Sequence, residues 1–349
     1  MARSRAMDEA SARTRSKPVL WLGAFVGFYR PAVEEVRRLD PVSKFLYAAR
    51  SVILVISAQA AFIAGLLALT DRQFHWVDFV AVLVGFVAVH MLSNLSNDYF
   101  GFKRGHDTPD APRMRYTVHP LASGVLDART LVTGLVILGG LGAGVNAFFV
   151  VERGWLAVAF AAAGIVLLLL YDAAPTPLKS IGLGELAAFV VWGPLMVGGG
   201  YAMITGHVSA DAFYASIPYG LGVMSILVGK HIDQIEFDAG KGNRTLPVLL
   251  GERAARRLNG ATVILMYVAA AALIASGQLT VFAAIIVVAL PRGVRAVLVM
   301  SRPRPAERPE GYVGWPLWYH RVCLVHNRLF GWVYILGLAA GAVWPAVRV

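Results

Sequence analysis

Long apolar runs separated by short polar connections dominate the chain, and nine of them reach about 20 residues: 46–69, 76–95, 130–150, 155–172, 183–204, 211–231, 259–276, 279–299 and 327–346. A helix of that length crosses a hydrocarbon core of about 30 Å. No run alternates as a barrel strand would, and lipid leaves the helix as the other way to satisfy every backbone polar group. The pattern predicts nine membrane-spanning helices in one all-α polytopic domain over 45–349, preceded by a cytoplasmic segment over 1–44. Within that segment, Pro18 to Tyr29 is apolar behind a basic stretch, with no small-residue cleavage site after it. It reads as an interfacial helix with Trp21, Phe25 and Phe28 toward lipid. Residues 1–17, rich in Arg, Ser and Ala, read as disordered. The alternation of Pro and Arg from Ser301 to Pro309 breaks the connection before the last span.

Composition agrees with the pattern. The 349 residues are 57% hydrophobic and 15% charged, against about 45–50% and about 25% for a soluble domain, which excludes a soluble enzyme. The single cysteine, Cys323, excludes a disulfide framework and a cysteine metal cage. A net charge of +11 would suit nucleic acid, but its distribution says otherwise. With the N-terminus inside, 28 Lys and Arg fall in cytoplasmic segments and 3 outside, namely Arg72, Arg153 and Arg348, with Arg50 at a span edge. That asymmetry sets orientation. The charge therefore reads as topology and contact with anionic membrane lipid, in a cytoplasmic (inner) membrane, with no nucleic-acid partner.

Polar residues at span ends are costly in a membrane protein and mark its chemistry. One cluster runs through Asn94, Asn97, Asp98, Lys103, Arg104, Asp107, Asp110, Arg113 and Arg115; a second runs through Lys230, His231, Asp233, Gln234, Glu236, Asp238, Lys241 and Arg244. Both follow a span on the cytoplasmic side. Asn94 and Asp98, and likewise Gln234 and Asp238, stand four apart on one helix face, with Asp233 and Glu236 three apart. Oxygen donors so placed suit a hard cation such as Mg²⁺, which is held by one or two carboxylates plus phosphate oxygens, while the interleaved bases take phosphate charge. A third stretch, Tyr171-Asp172-Ala173-Ala174-Pro175-Thr176-Pro177-Leu178-Lys179 followed by Ile181 to Glu185, is a short inside loop whose lysine reaches toward a phosphate, or simply anchors the loop.

At these residues the chain resembles the UbiA superfamily of intramembrane aromatic prenyltransferases, most of all the branch that prenylates 1,4-dihydroxy-2-naphthoate for menaquinone synthesis. The matching text is NLSNDYFGFKRGHDT at 94–108, HPLASG at 119–124, YDAAPTPLKSIGLGE at 171–185 and DAGKGNRTLPVLLGE at 238–252. The resemblance implies a UbiA-like ring of nine helices around a central cavity, capped by cytoplasmic loops. It also implies an isoprenyl diphosphate held through Mg²⁺ between the two acidic motifs, on the cytoplasmic side. Departures stand beside the matches. The family's first motif runs Asn-Asp-x-x-Asp, and Gly101 replaces its second acid; Gln234 stands where the second motif usually has Asp. Lys230 and His231 occupy positions where the naphthoate branch commonly has asparagines, so one ion, with Lys230 supplying charge, replaces two. Asp172 and His119 differ as well.

On this reading Asn97, Asp98, Asp107, Asp233 and Asp238 bind the metal. Lys103, Arg115, Lys179, Lys230 and Arg244 bind the diphosphate, and Asp98, Asp233 and Lys179 are the catalytic set. Ionisation of an allylic diphosphate creates a highly charged leaving group that these residues must neutralise. Tyr99, Tyr116, Tyr171 and Trp192 shield the carbocation with their ring faces or belong to the interfacial aromatic belt. His119 or His231 takes the proton of the aromatic acceptor, or is structural. A naphthoate, a benzoate, a chlorin or a lipid headgroup would each serve as acceptor. A transporter is a rival class, but it predicts charged or broken positions at mid-membrane, where these spans are apolar. A non-catalytic isoprenoid-binding relative is the other.

Overall fold

The computed structural model describes residues 16–26, 32–105, 107–108, 111–115, 117–312 and 314–344. The candidates Asp110 and Tyr116, the side chains of Arg113, Arg115 and Asp172, and the expectations for residues 1–15, Phe28 and Arg348 lie outside the described residues.

Three short helices come first: α1 (Lys17–Val26), α2 (Val33–Arg38) and α3 (Pro41–Ala48). Asp40 starts α3 by accepting from the Ser43 amide, and Pro41 costs nothing at a first turn whose N–H has no helical partner. Eight helices long and apolar enough to span follow: α4 (Ser51–Thr70), α5 (Trp76–Lys103), α6 (Ala128–Arg153), α8 (Gly184–Thr205), α9 (Ala210–Asp233), α12 (Glu252–Ala275), α13 (Val281–Met300) and α14 (Tyr319–Val343). The ninth run is the shorter apolar helix α7 (Trp155–Tyr171). Short helices α10 (Ile235–Gly240) and α11 (Leu246–Leu250) follow α9. Each expected run contains a helix, eight of them long and apolar enough to span, and several helices outrun their apolar cores. α5 continues to Lys103 rather than stopping near 95, and α14 begins at Tyr319 rather than 327. Hydropathy sees only the lipid-facing part of a helix, whereas backbone hydrogen bonding continues into polar turns.

The chain divides into two compact units. One comprises Met1–Val55 with Met91–Ile137, the other Ile56–His90 with Leu138–Val349. In the first, the Trp21 indole donates to Ser43 Oγ at 2.9 Å and the Tyr47 hydroxyl donates to the Leu20 carbonyl at 2.9 Å. Trp21, expected to face lipid, thus ties α1 to α3. A small apolar core of Val36, Ala48, Val125 and Leu126 lies among these elements.

In the second unit α9 is the most enclosed span. Small residues allow it: a Cβ on Gly229 would lie 2.9 Å from the backbone of Tyr319 and His320, so only glycine lets α14 approach there. Several polar side chains inside this unit are paired, which a lipid-surrounded interior favours. Tyr219 donates to the Ile56 carbonyl at 2.6 Å, Gln59 to the Arg328 carbonyl at 3.0 Å, and Arg153 to Asp78 at 2.5 Å. Arg153, counted among the outside charges, is therefore also half of an ion pair. Span α8 widens into π-helical turns over Val191–Gly198 around Pro194, whose missing N–H cannot close a regular turn.

Candidate active site

In the first unit, the first polar cluster of the sequence begins on the last turns of α5. Asn94 and Asp98 do share a face, and that face meets the Ala49–Arg50 turn. Asn94 Nδ2 donates to the Ala49 carbonyl at 3.2 Å, and the Arg50 guanidinium donates to the Asn94 carbonyl at 3.1 Å and to Asp98. Asp98 is fully buried, 0% exposed against 18% for the side chain of Asp107. The carboxylate expected to hold metal is thus matched by an arginine that sequence reasoning left as a bare span-edge charge. Asn97 is half-buried, while Lys103 is exposed with its ammonium 4.8 Å from the centre of the Tyr99 ring. Asp107 sits just beyond α5, within 3.1 Å of His119 Nε2.

In the second unit the helix breaks at Gln234, so Asp233 ends α9 and Asp238 rides on α10. The break separates their roles. Both oxygens of Asp233 accept backbone N–H groups, from Tyr319 at 3.1 Å and His320 at 2.9 Å, which caps the first turn of α14. Arg304 donates to the Asp233 carbonyl at 3.1 Å. These bonds tie Asp233 to the start of α14, and Glu236 is exposed.

Asp238 is different: it is buried, and its Oδ2 has no hydrogen-bond partner among the described residues. Burial pushes its carboxyl above the usual carboxylate range, opposed by the nearby charges of His231, Lys230 and Lys179. The lysine loop is brought to this acid by long-range bonds. The Arg244 amide donates to the Ser180 carbonyl at 3.1 Å, and the Ser180 hydroxyl to Asn243 Oδ1 at 2.9 Å. Lys179, Lys230 and Asp238 therefore form one neighbourhood, as the sequence suggested, with Arg244 exposed beside it.

Glu185 joins them without having been expected. It is fully buried, its Oε1 is 2.6 Å from His231 Nδ1, and its Oε2 has no partner among the described residues. The available signal was an acid in the first turn of a span, in a position where lipid tolerates none without a partner. Trp192 donates to Ser57 Oγ at 3.1 Å and stands edge-on to His90, and so is held inside its unit.

Among the described residues no three His, Cys, Asp or Glu side chains form a ready metal cage. An orphaned, buried carboxylate oxygen with lysines around it fits Mg²⁺ that arrives with a diphosphate, since that ion uses few protein ligands and completes its shell with phosphate and water.

Comparison with known families matches residues 58–315 to the UbiA prenyltransferase family. The chain belongs to that family. It is 28% identical over 230 residues, 62% of this chain and 68% of the relative, to UbiA prenyltransferase domain-containing protein 1 of Dictyostelium discoideum. To the 1,4-dihydroxy-2-naphthoate octaprenyltransferase of Bacillus subtilis it is 26% identical over 224 residues, 63% of this chain and 70% of the relative. Its fold matches that of a UbiA homolog from Archaeoglobus fulgidus bound to GPP and Mg²⁺, with TM-score 0.53 at 13% identity over 85% of this chain and 99% of that one. This UbiA prenyltransferase is thus an integral, multi-pass membrane protein whose acidic motifs carry the departures described above. Membership answers the transporter reading.

Proposed function

We propose that this protein transfers an isoprenyl group from an isoprenyl diphosphate to a 1,4-dihydroxynaphthoate-type acceptor, a step of quinone synthesis. The observation that carries it is Asp238, a buried carboxylate with an orphaned oxygen, in one neighbourhood with Lys179 and Lys230. The named activity of the Bacillus relative and the GPP and Mg²⁺ bound to the Archaeoglobus homolog support it.

In the second unit Asp238 is assigned to Mg²⁺ and Lys179, Lys230 and Arg244 to the diphosphate; in the first unit, taken by itself, Asp107 and the Asn97 amide are assigned to Mg²⁺ and Lys103 to phosphate charge. Bound Mg²⁺ supplies Lewis-acid neutralisation of the leaving diphosphate. The lysines act on the same charge: as the allylic C–O bond breaks, their ammonium groups stabilise the developing diphosphate anion. The allylic cation is attacked by a ring carbon of the acceptor, which then loses its ring proton to restore aromaticity. Asp98 contributes by holding Arg50 and the end of α5, not by binding metal.

The test is direct. Protein purified into nanodiscs should release diphosphate and form a prenylated naphthoate from geranylgeranyl diphosphate and 1,4-dihydroxy-2-naphthoate, and EDTA should stop both. Absence of product with a range of chain lengths would sink the reading. The inside-heavy basic residues support placing the site at the cytoplasmic face of the membrane. Alkaline phosphatase fused after Val349 should then be active outside the cytoplasm; activity of a cytoplasmic reporter there instead would reverse the orientation.

A further inference from the structure

Six residues after Gly101, the chain has passed the end of α5, turned back at Gly105, whose φ is +70°, and brought Asp107 over the helix it has just left. The Asp107 amide donates to the Gly101 carbonyl at 3.3 Å. The carboxylate lies so close above the Gly101 Cα that a Cβ built there would fall onto Asp107 Oδ2. A side chain at position 101 would require the Asp107 carboxylate to shift.

His119 is a partner that holds the carboxylate there. Its ring is 1% exposed, and Nδ1 accepts two backbone N–H groups, from Leu121 at 3.2 Å and Ala122 at 3.1 Å. With Nδ1 used as acceptor, the proton sits on Nε2, which points at Asp107 Oδ2 at 3.1 Å and donates to it. The ring is also placed beside Phe102, 6.1 Å between centres. The turn that carries it is closed by the Ser123 amide on the His119 carbonyl at 3.1 Å and the Leu126 amide on the Pro120 carbonyl at 3.0 Å. Arg37 Nε in turn holds the Ser123 carbonyl at 3.2 Å.

We propose that His119 is the positioning residue of the first acidic motif: it fixes the Asp107 carboxylate in the space that Gly101 leaves open, so that Asp107 stands in for a side-chain acid at position 101. The inference rests on the assignment of Asp107 to Mg²⁺. Outer hydrogen bonds of this kind orient a ligating carboxylate, and their removal costs metal affinity rather than the ligand itself.

The experiment uses the full chain in nanodiscs and two readouts. One is Mn²⁺ binding followed by EPR in the presence of an unreactive isoprenyl thiodiphosphate; the other is the Mg²⁺ concentration that half-saturates turnover. His119→Ala should weaken Mn²⁺ binding and raise half-saturation by about 10-fold or more. His119→Gln, whose amide nitrogen reaches the place of Nε2, should keep both near the parent. Gly101→Asp alone should be impaired by collision with Asp107. Combined with Asp107→Ala, however, it should restore metal binding lost in Asp107→Ala, and the restored protein should no longer respond to His119→Ala. If His119→Ala lowers thermal stability but leaves both metal readouts at parental values, or if Gly101→Asp fails to improve Asp107→Ala, the proposal is wrong. Failure of the transferase reading shows separately, as a parent protein that makes no product yet still reports Mn²⁺ binding.

Discussion

Asp238→Asn, purified with its fold intact, should release diphosphate at least ~100-fold more slowly than the parent, the order expected when a preorganised charge is removed from a reaction that develops charge. The substitution keeps shape and removes only the negative charge. Asp238 is buried, and one of its oxygens has no partner among the described residues. Desolvation works against its ionised form, and a bound cation would favour that form. Lys230→Asn in the same assay should lower kcat by about 10-fold or more, since a hydrogen bond to a charged group is worth roughly 1.5–3 kcal/mol, and added Mg²⁺ should not repair it. An Asp238→Asn enzyme within tenfold of the parent would move the metal elsewhere.

Asp233→Ala should behave in the opposite way, losing stability instead of chemistry. Its two oxygens satisfy the Tyr319 and His320 amides at the buried start of α14. Losing two charge-assisted hydrogen bonds and leaving two amides unsatisfied should cost about 3 kcal/mol or more, read as a large drop in the thermal or detergent unfolding midpoint. Turnover per folded molecule and Mg²⁺ half-saturation should stay close to parental. A variant that melts with the parent but loses its Mg²⁺ dependence would return Asp233 to the metal site.

The contrast between these two acids marks where sequence reasoning stopped. They lie five residues apart in one motif, and in the sequence both read as metal ligands. The break at Gln234 sends one to the last helix and leaves the other beside Lys179 and Lys230. Asp98 met the same limit. Its arginine partner was visible as an isolated charge at a span edge, but nothing local to either residue joined them. The neighbourhood of Lys179 and Asp238 was legible in outline, because both sit in short connections on the same side of their spans. Glu185 was quoted only as part of a motif, and its pairing with His231 was not seen.

The sequence by itself determined the solvent and the secondary structure. Apolar runs of sufficient length must be helices in lipid, because hydrocarbon offers no other partner for backbone N–H and C=O groups, and that constraint acts within each run. It also determined which motifs carry oxygen and ammonium groups, and so the family and its class of chemistry. Tertiary structure alone decided what each charged group does. Arg50 reaches Asp98 across 48 positions, His231 reaches Glu185 across 46, and the Tyr319 amide reaches Asp233 across 86. A carboxylate becomes a cap, an ion-pair partner or a metal ligand according to which donors fill the space around its oxygens, and those donors arrive only when distant helices pack.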